Sequence, residues 1–200
     1  LRGGPGDLRR SAEASLKRLG LDYVDLLLIH WPNAEIPLKG SIEALCEMKE
    51  KGLARHIGVS NFTTKLLFDA IAIASEPIVA NQCEYHPHLN QDKVIEACNQ
   101  HGVAFVSYCP LGRGAVGGVI DEPVVKQMAS RLKRTPAQVV LRWHIQQGLV
   151  AIPRSANHQR IADNIKVYDF ELNADDMAVL SKLARPDGRV VNLAFAPKWD

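Results

Sequence analysis

Apolar residues recur at helical spacing from the start of the chain. Leu8, Ala12, Leu16 and Leu19 predict a helix over Asp7–Gly20, with Asp7 able to cap it and Gly20 able to stop it. A nearly continuous apolar run follows, Tyr23–Ile29, which reads as a strand buried on both faces, as in a parallel sheet. It stops at His30-Trp31-Pro32, because Pro32 cannot extend a ladder. The same beat then repeats. A helix through Ile42, Leu45 and Met48, capped by Ser41 and closed by Gly52, leads to a strand at His56–Val59. A helix opened by Thr63 or Thr64 leads to a strand at Ile78–Gln82. A helix capped by Asn90 and closed by Gly102 leads to a strand at Val103–Tyr108. After a glycine-rich loop come helices at Val124–Leu132 and Pro136–Gln147, the second capped by Thr135 and stopped by Gly148. A strand at Val150–Pro153 and helices at Gln159–Val167 and Asp175–Leu183 complete the pattern.

Five strands, each followed by a helix, predict a parallel sheet with helices outside it. No crossover shows a Rossmann turn, and every strand ends in polar residues. The pattern therefore fits part of a (β/α)8 TIM barrel better than a doubly wound sheet. A closed barrel needs eight strands and typically about 250 residues. With five strands in 200 residues, and a helix first, roughly three βα units are expected upstream of Leu1. The expected layout is an N-terminally incomplete barrel over residues 1–184 and an irregular tail over 185–200.

Composition narrows the function classes. With 46% hydrophobic and 23% charged residues the chain is globular in type, which excludes disordered and low-complexity classes. A formal net charge of +2 gives no reason to expect nucleic acid or an anionic membrane as partner. The longest apolar run is too short to span a bilayer. Cys46, Cys83, Cys98 and Cys109 form no C-x-x-C pair, so reduced thiols and a cytoplasmic location are expected. His86 and His88 flank Pro87 without the carboxylate or thiolate help a metal would need, so no metal is expected.

In a barrel of this kind, chemistry sits on the loops after the strands. Those positions hold His30-Trp31, Ser60-Asn61, Gln82, Tyr108 and Arg154-Ser155. A neutral His30 there can donate a hydrogen bond to a substrate carbonyl, although a lone histidine is more often structural. Trp31 can wall a pocket or merely cap the rim. The amides of Asn61 and Gln82 offer donor and acceptor together, as a carboxamide ligand requires, or they can brace loops. Tyr108 offers a flat face for ring stacking, or a half-buried core ring. Arg154, Ser155, Arg160 and a helix N-terminus together make a phosphate site, against the alternative of a solvated basic face. Asn164, one turn after Arg160, can reach an adenine edge. Gly112–Gly117 matches G-x-G-x-x-G literally, but Gly118 and Pro123 follow so closely that no helix is expected to start in it. It reads as a loop that folds over a ligand; a Rossmann dehydrogenase would instead need a helix there.

The same residues carry a family resemblance. Leu27-Leu28-Ile29-His30-Trp31-Pro32, Ile57-Gly58-Val59-Ser60-Asn61-Phe62, Asn81-Gln82-Cys83-Glu84-Tyr85-His86-Pro87 and Ile152-Pro153-Arg154-Ser155 resemble the aldo-keto reductases in order and spacing. The resemblance spans nearly the whole chain. The ending, Arg189–Asn192 and Ala196–Asp200, resembles the bacterial 2,5-diketo-D-gluconate reductase branch. It implies NADPH-dependent reduction of aldehydes or ketones, such as methylglyoxal and keto-sugars, by a monomer whose partners are its cofactor and a small carbonyl substrate. His30 would orient the carbonyl. Ser60, Asn61 and Gln82 would hold the nicotinamide carboxamide, and Tyr108 would stack on its ring. The loop from Leu111 would cross the pyrophosphate. Arg154, Ser155 and Arg160 would take the 2′-phosphate, with Asn164 at the adenine. Two departures are local: Arg154 stands where the family often has Lys, and Cys109-Pro110 follows Tyr108 where many members have Ser and another small residue. A third concerns catalysis. The family's proton-donating Tyr, with its Asp and Lys partners, belongs to early strands, and none of Tyr23, Tyr85, Tyr108 or Tyr168 matches it. The resemblance thus implies a cofactor-binding half without the proton-transfer half, inactive alone; the competing expectation is a non-catalytic NADP(H)-binding module.

Overall fold

The computed structural model describes residues 4–112 and 118–200. In chain order the elements are α1 (Pro5–Leu19), β1 (Val24–Ile29), α2 (Leu38–Glu50), β2 (Ala54–Ser60), α3 (Thr64–Ile73), β3 (Ile78–Glu84), α4 (Asp92–Gln100), β4 (Ala104–Tyr108), a 3₁₀ turn (Val119–Asp121), α5 (Pro123–Leu132), α6 (Pro136–Gln146), β5 (Val150–Ala151), α7 (His158–Asn164) and α8 (Ala174–Ser181). The five strands form one sheet in the order β1-β2-β3-β4-β5. β1 and β2, β2 and β3, and β4 and β5 pair in parallel. Parallel neighbours need a crossover, and a helix supplies each one, as the alternating pattern requires.

Several boundaries differ from the sequence reading, for local reasons. α1 begins two residues before Asp7: Pro5 occupies its first turn and Gly4 caps it, so Asp7 lies inside the first turn. α2 begins at Leu38 with Pro37 as cap, placing Ser41 inside the helix. Thr63 caps α3 through the Leu66 N–H, and Thr135 with Gln138 forms a full capping box on α6. The glycines expected to stop helices at 20, 52, 102 and 148 all take positive φ. β1 is not buried on both faces: Asp25 and Leu26 are exposed and only Ile29 is fully covered. Its one strand neighbour among the described residues is β2. β5 is two residues long because Pro153 has no N–H, yet the Ile152 N–H still donates to the Ser107 carbonyl at 3.0 Å.

The chain folds as two compact units. One runs up to Cys83 and adds Asp92–Phe105 and Leu193–Asp200; the other is Glu84–Gln91 with Val106–Asn192. The core of the first is Ile42, Leu45, Met48, Ile57, Val59 and Leu67, all fully buried. Between β2 and β3 the register shifts between Ile57 and Val59. Gly58 sits at that step: a Cβ there would lie 2.6 Å from the Ala80 carbonyl oxygen and 2.7 Å from Leu28 Cδ2. Only glycine lets these backbones approach so closely. The core of the second unit gathers Val119, Val125, Val139, Val140, Trp143 and Leu180. Its best-connected carboxylate is Glu84, fully buried, which accepts from His86 Nε2 (2.9 Å) and from the Val190 and Val191 N–H groups (2.7 and 2.8 Å). Burial raises the pKa of Glu84, but these three bonds outweigh it and hold the carboxyl below its usual range. No described helix is long and apolar enough to cross a membrane. All four cysteines are free, and burial pushes the Cys98 thiol up to about 12.

Candidate functional site

The sequence-predicted positions lie at or near strand ends, with two differences: β3 continues past Gln82 to Glu84, and Arg160 and Asn164 lie in α7. In the first unit β1 runs out at Ile29, so His30 and Trp31 begin the following loop. β2 ends on Ser60, and Asn61 turns the chain with φ of 63°, a left-handed conformation that asparagine tolerates better than most residues. Side-chain bonds fix that turn. Asn61 Nδ2 donates to the His30 carbonyl (2.9 Å) and to Ser60 Oγ (3.1 Å). Ser60 Oγ donates to the Gln82 carbonyl (2.7 Å), which also accepts the Asn61 N–H (2.9 Å). His30, Ser60, Asn61 and Gln82 are therefore one hydrogen-bonded cluster, and the Asn61 amino group is engaged within it. The Gln82 side-chain amide is half-buried and makes no hydrogen bond among the described residues. It keeps a donor and an acceptor for a ligand, which is what a carboxamide would require. The His30 ring is exposed overall, but partial burial lowers its pKa from 6.5 and favours the neutral form.

Trp31, 6% exposed, packs edge-on against Phe195 (5.6 Å between ring centroids) and Trp199 (6.1 Å). With Ile36, Leu38, Phe62 and Phe195 it lines a cavity of about 470 Å³. The Asp200 carboxylate reaches the Thr64 N–H at the start of α3 (2.9 Å). Part of the tail is thus a wall of this cavity rather than a loose end. Sequence reasoning missed Phe195 and Trp199, because an irregular segment carries no periodicity to mark a buried face. It also missed Asn81, fully buried, whose amide donates to the Phe62 carbonyl (2.9 Å) and braces the turn after β2. The available signal was its place beside Gln82, since neighbouring strand residues face opposite ways.

The second unit holds the other positions. Tyr108 ends β4, its ring half-exposed, and its carbonyl accepts the Tyr85 N–H at 3.3 Å. β4 and β5 pair at Ser107 and Ala151, so Tyr108 stands level with the start of the Ile152–Arg154 segment. Leu111 is half-buried at the start of its loop. The rest of that loop, and with it most of the Gly112–Gly117 motif, lies outside the described residues; the next described α-helix opens at Pro123. The exposed guanidinium groups of Arg154 and Arg160 take part in no ion pair or hydrogen bond among the described residues, which leaves two cations for an anionic group. The α7 N-terminus adds less than the sequence suggested: Asn157 Oδ1 already accepts the Arg160 N–H (3.0 Å), and Ser155 Oγ accepts the Asn157 N–H (3.1 Å). Asn164 lines a second, largely apolar cavity of about 260 Å³ with Ile161, Ile165 and Tyr168. His86 and His88 are turned to carboxylates, Glu84 and Glu122 respectively, the latter at 2.7 Å.

A sequence profile of the Aldo/keto reductase family matches residues 2–185. The chain belongs to the aldo/keto reductase family. An aldo-keto reductase of Mycolicibacterium vanbaalenii is 47% identical over 171 residues, 85% of this chain and 60% of that protein. The methylglyoxal reductase DkgB of Escherichia coli O157:H7 is 39% identical over 193 residues, 95% of this chain and 71% of that protein. The chain thus spans about 60% of the length of the first of these curated aldo-keto reductases. Among solved structures, a protein assigned as a 2,5-diketo-D-gluconic acid reductase B superposes with a TM-score of 0.94 at 38% identity, covering 98% of this chain and 69% of that one. A Bombyx mori aldo-keto reductase in complex with NADP superposes with a TM-score of 0.86 at 32% identity, covering 95% and 66%. The five parallel strands and their helices are accordingly a stretch of the aldo/keto reductase (β/α)8 barrel, and no Rossmann arrangement is present among the described residues.

Proposed function

We propose that this aldo/keto reductase binds NADPH and reduces aldehydes and ketones to alcohols. The observation that carries the reading is the set of polar groups left unengaged among the described residues: the Gln82 amide in β3, the Arg154 guanidinium after β5 and the Arg160 guanidinium in α7. Gln82, with the Ser60-Asn61 turn behind it, would hold a carboxamide. The ring of Tyr108 would lie against a planar heterocycle. Arg154 and Arg160 would meet the 2′-phosphate that distinguishes NADP from NAD, and Asn164 with its apolar cavity would take the adenine. Ser155 would stabilise the turn that presents Arg154, and the loop from Leu111 would cross the pyrophosphate. When bound, the cofactor supplies the hydride. The chain's own part is to orient the carbonyl and meet the negative charge that gathers on its oxygen. A neutral His30, its carbonyl fixed by Asn61, would donate its ring N–H to that oxygen. Trp31 would wall the substrate side.

A second reading, NADP(H) binding without turnover by this chain, is favoured by where its tyrosines stand. Tyr23 precedes β1, at the opposite end of the strand from His30, and accepts from Arg55 at 2.5 Å. Tyr85 stacks on Trp143 and donates to Gln147 at 2.9 Å, a structural arrangement. Lack of a positioned general acid costs about 10²–10⁴-fold in rate. NADPH oxidation with methylglyoxal and with 2,5-diketo-D-gluconate, followed by absorbance on the protein with a complete barrel, separates the two. Turnover, reduced at least about 100-fold by His30→Ala, supports the reductase. NADPH binding with no turnover across a broad carbonyl panel supports the second reading, and absence of both overturns the proposal.

A further inference from the structure

Asn81 is a buried polar side chain to which the proposed reaction gives no part. It is fully covered in β3, directly before Gln82. Successive strand residues face opposite ways, so the two amides stand on opposite sides of the sheet. On its own side Asn81 works as a clamp. Its Nδ2 donates to the Phe62 carbonyl at 2.9 Å, and its Oδ1 accepts the Phe62 N–H at a long 3.4 Å. The same Oδ1 accepts from the Cys83 thiol at 3.4 Å, and the side chain shares a further hydrogen bond with Cys98 of α4. One amide thus ties β3, the turn after β2 and α4 together.

Register gives this clamp its importance. β2 pairs with β3 through Val59 with Asn81 and Ser60 with Gln82, and Ser60 is the last residue of β2. Asn61 then turns away with its left-handed φ of 63°. At Phe62 the Asn81 side chain takes the place of a strand partner, because it meets both the backbone N–H and the backbone carbonyl. With Phe62 tied down, the Asn61 N–H and Ser60 Oγ both stay on the Gln82 carbonyl. The backbone from which the Gln82 side chain springs is then fixed from both sides. We propose that Asn81 is a positioning residue for the cofactor's carboxamide: it holds the turn after β2 at the register that presents the Gln82 amide to the nicotinamide half of NADPH. Without it the Phe62 carbonyl is buried with the Cys83 thiol, at 3.9 Å, as a poor substitute partner. The turn must shift to relieve that cost, and a binding group displaced by even a fraction of an ångström loses its ligand geometry. The inference rests on the reading that Gln82 meets a carboxamide and deepens it.

NADPH and 2′-phospho-ADP-ribose, which is NADPH without its nicotinamide, separate positioning from general support of the fold. Fluorescence titration of the protein with a complete barrel reads both. Asn81→Ala is expected to weaken NADPH by about tenfold or more and the nicotinamide-free analogue by less than about twofold. Equal weakening of the two, or of neither, overturns the inference. A second measurement uses the unmodified protein and so decides the matter even where Asn81→Ala does not fold. Exchange of the Asn81 side-chain N–H groups with solvent, followed by NMR, is expected to be at least about threefold slower with NADPH bound than with the analogue bound, because the carboxamide locks the turn. Equal exchange overturns the inference. Unmodified protein that binds NADPH no more tightly than the analogue would overturn the carboxamide reading beneath it as well. Preference for NADPH that is insensitive to Asn81→Ala would overturn the positioning role alone.

Discussion

At the scale of single residues, Asn61 organises the strand-end cluster of the first unit. Its left-handed φ of 63° and its bonds to the His30 carbonyl and Ser60 Oγ work together: the turn exists because the side chain bridges two strand ends. Asn61→Ala is expected to destabilise the chain by about 2–4 kcal/mol, from lost buried hydrogen bonds and the penalty of a Cβ residue in the left-handed region. Asn61→Gly is expected to recover about 1 kcal/mol of that, the conformational share alone. Urea unfolding of the three proteins measures both; equal stability of the Ala and Gly variants would show that the left-handed turn carries no strain. The residue types at the strand ends were legible in the sequence because each follows an apolar strand abruptly. Which amide stays available was not. Asn61 and Gln82 offer the same groups on paper, and only the geometry commits the Asn61 amino group to the turn and leaves that of Gln82 without a partner among the described residues. Asn81 escaped notice for a related reason: a buried amide bracing a neighbouring loop has no periodic signature.

At the scale of elements, alternation of apolar runs and helical spacing located every strand, because each strand needs an apolar face and each crossover a helix. The boundaries moved where local chemistry intervened, as with Pro5 at the start of α1 and Pro153 at the end of β5. The apolar run of β1 suggested burial on both faces; β2 is its one neighbour among the described residues, and Leu26 is 40% exposed. Gly58 gives this scale its sharpest test. A methyl group there meets the Ala80 carbonyl oxygen, so β2 and β3 must separate. Gly58→Ala is expected to cost about 1–3 kcal/mol and to speed hydrogen exchange of the Asn61 N–H that bonds Gln82. An unchanged urea midpoint with unchanged exchange would mean that the strands have room to spare.

At the scale of the whole molecule, the chain is a stretch of the aldo/keto reductase barrel. Fold and family were legible because collinear motifs accompany the strand pattern. The aromatic cavity was not, since its wall draws on Trp31, on Phe62 and on the irregular tail at Phe195, positions widely separated in the chain. The central claim is that these strand ends hold NADPH and that Arg160 reads its 2′-phosphate. Fluorescence titration of the chain with NADPH and with NADH, before and after Arg160→Ala, tests it most directly. The account predicts tighter binding of NADPH than of NADH, with the substitution weakening NADPH by about tenfold or more and NADH by less than about twofold. Equal loss for both cofactors, or no binding of either by the unmodified chain, would contradict it.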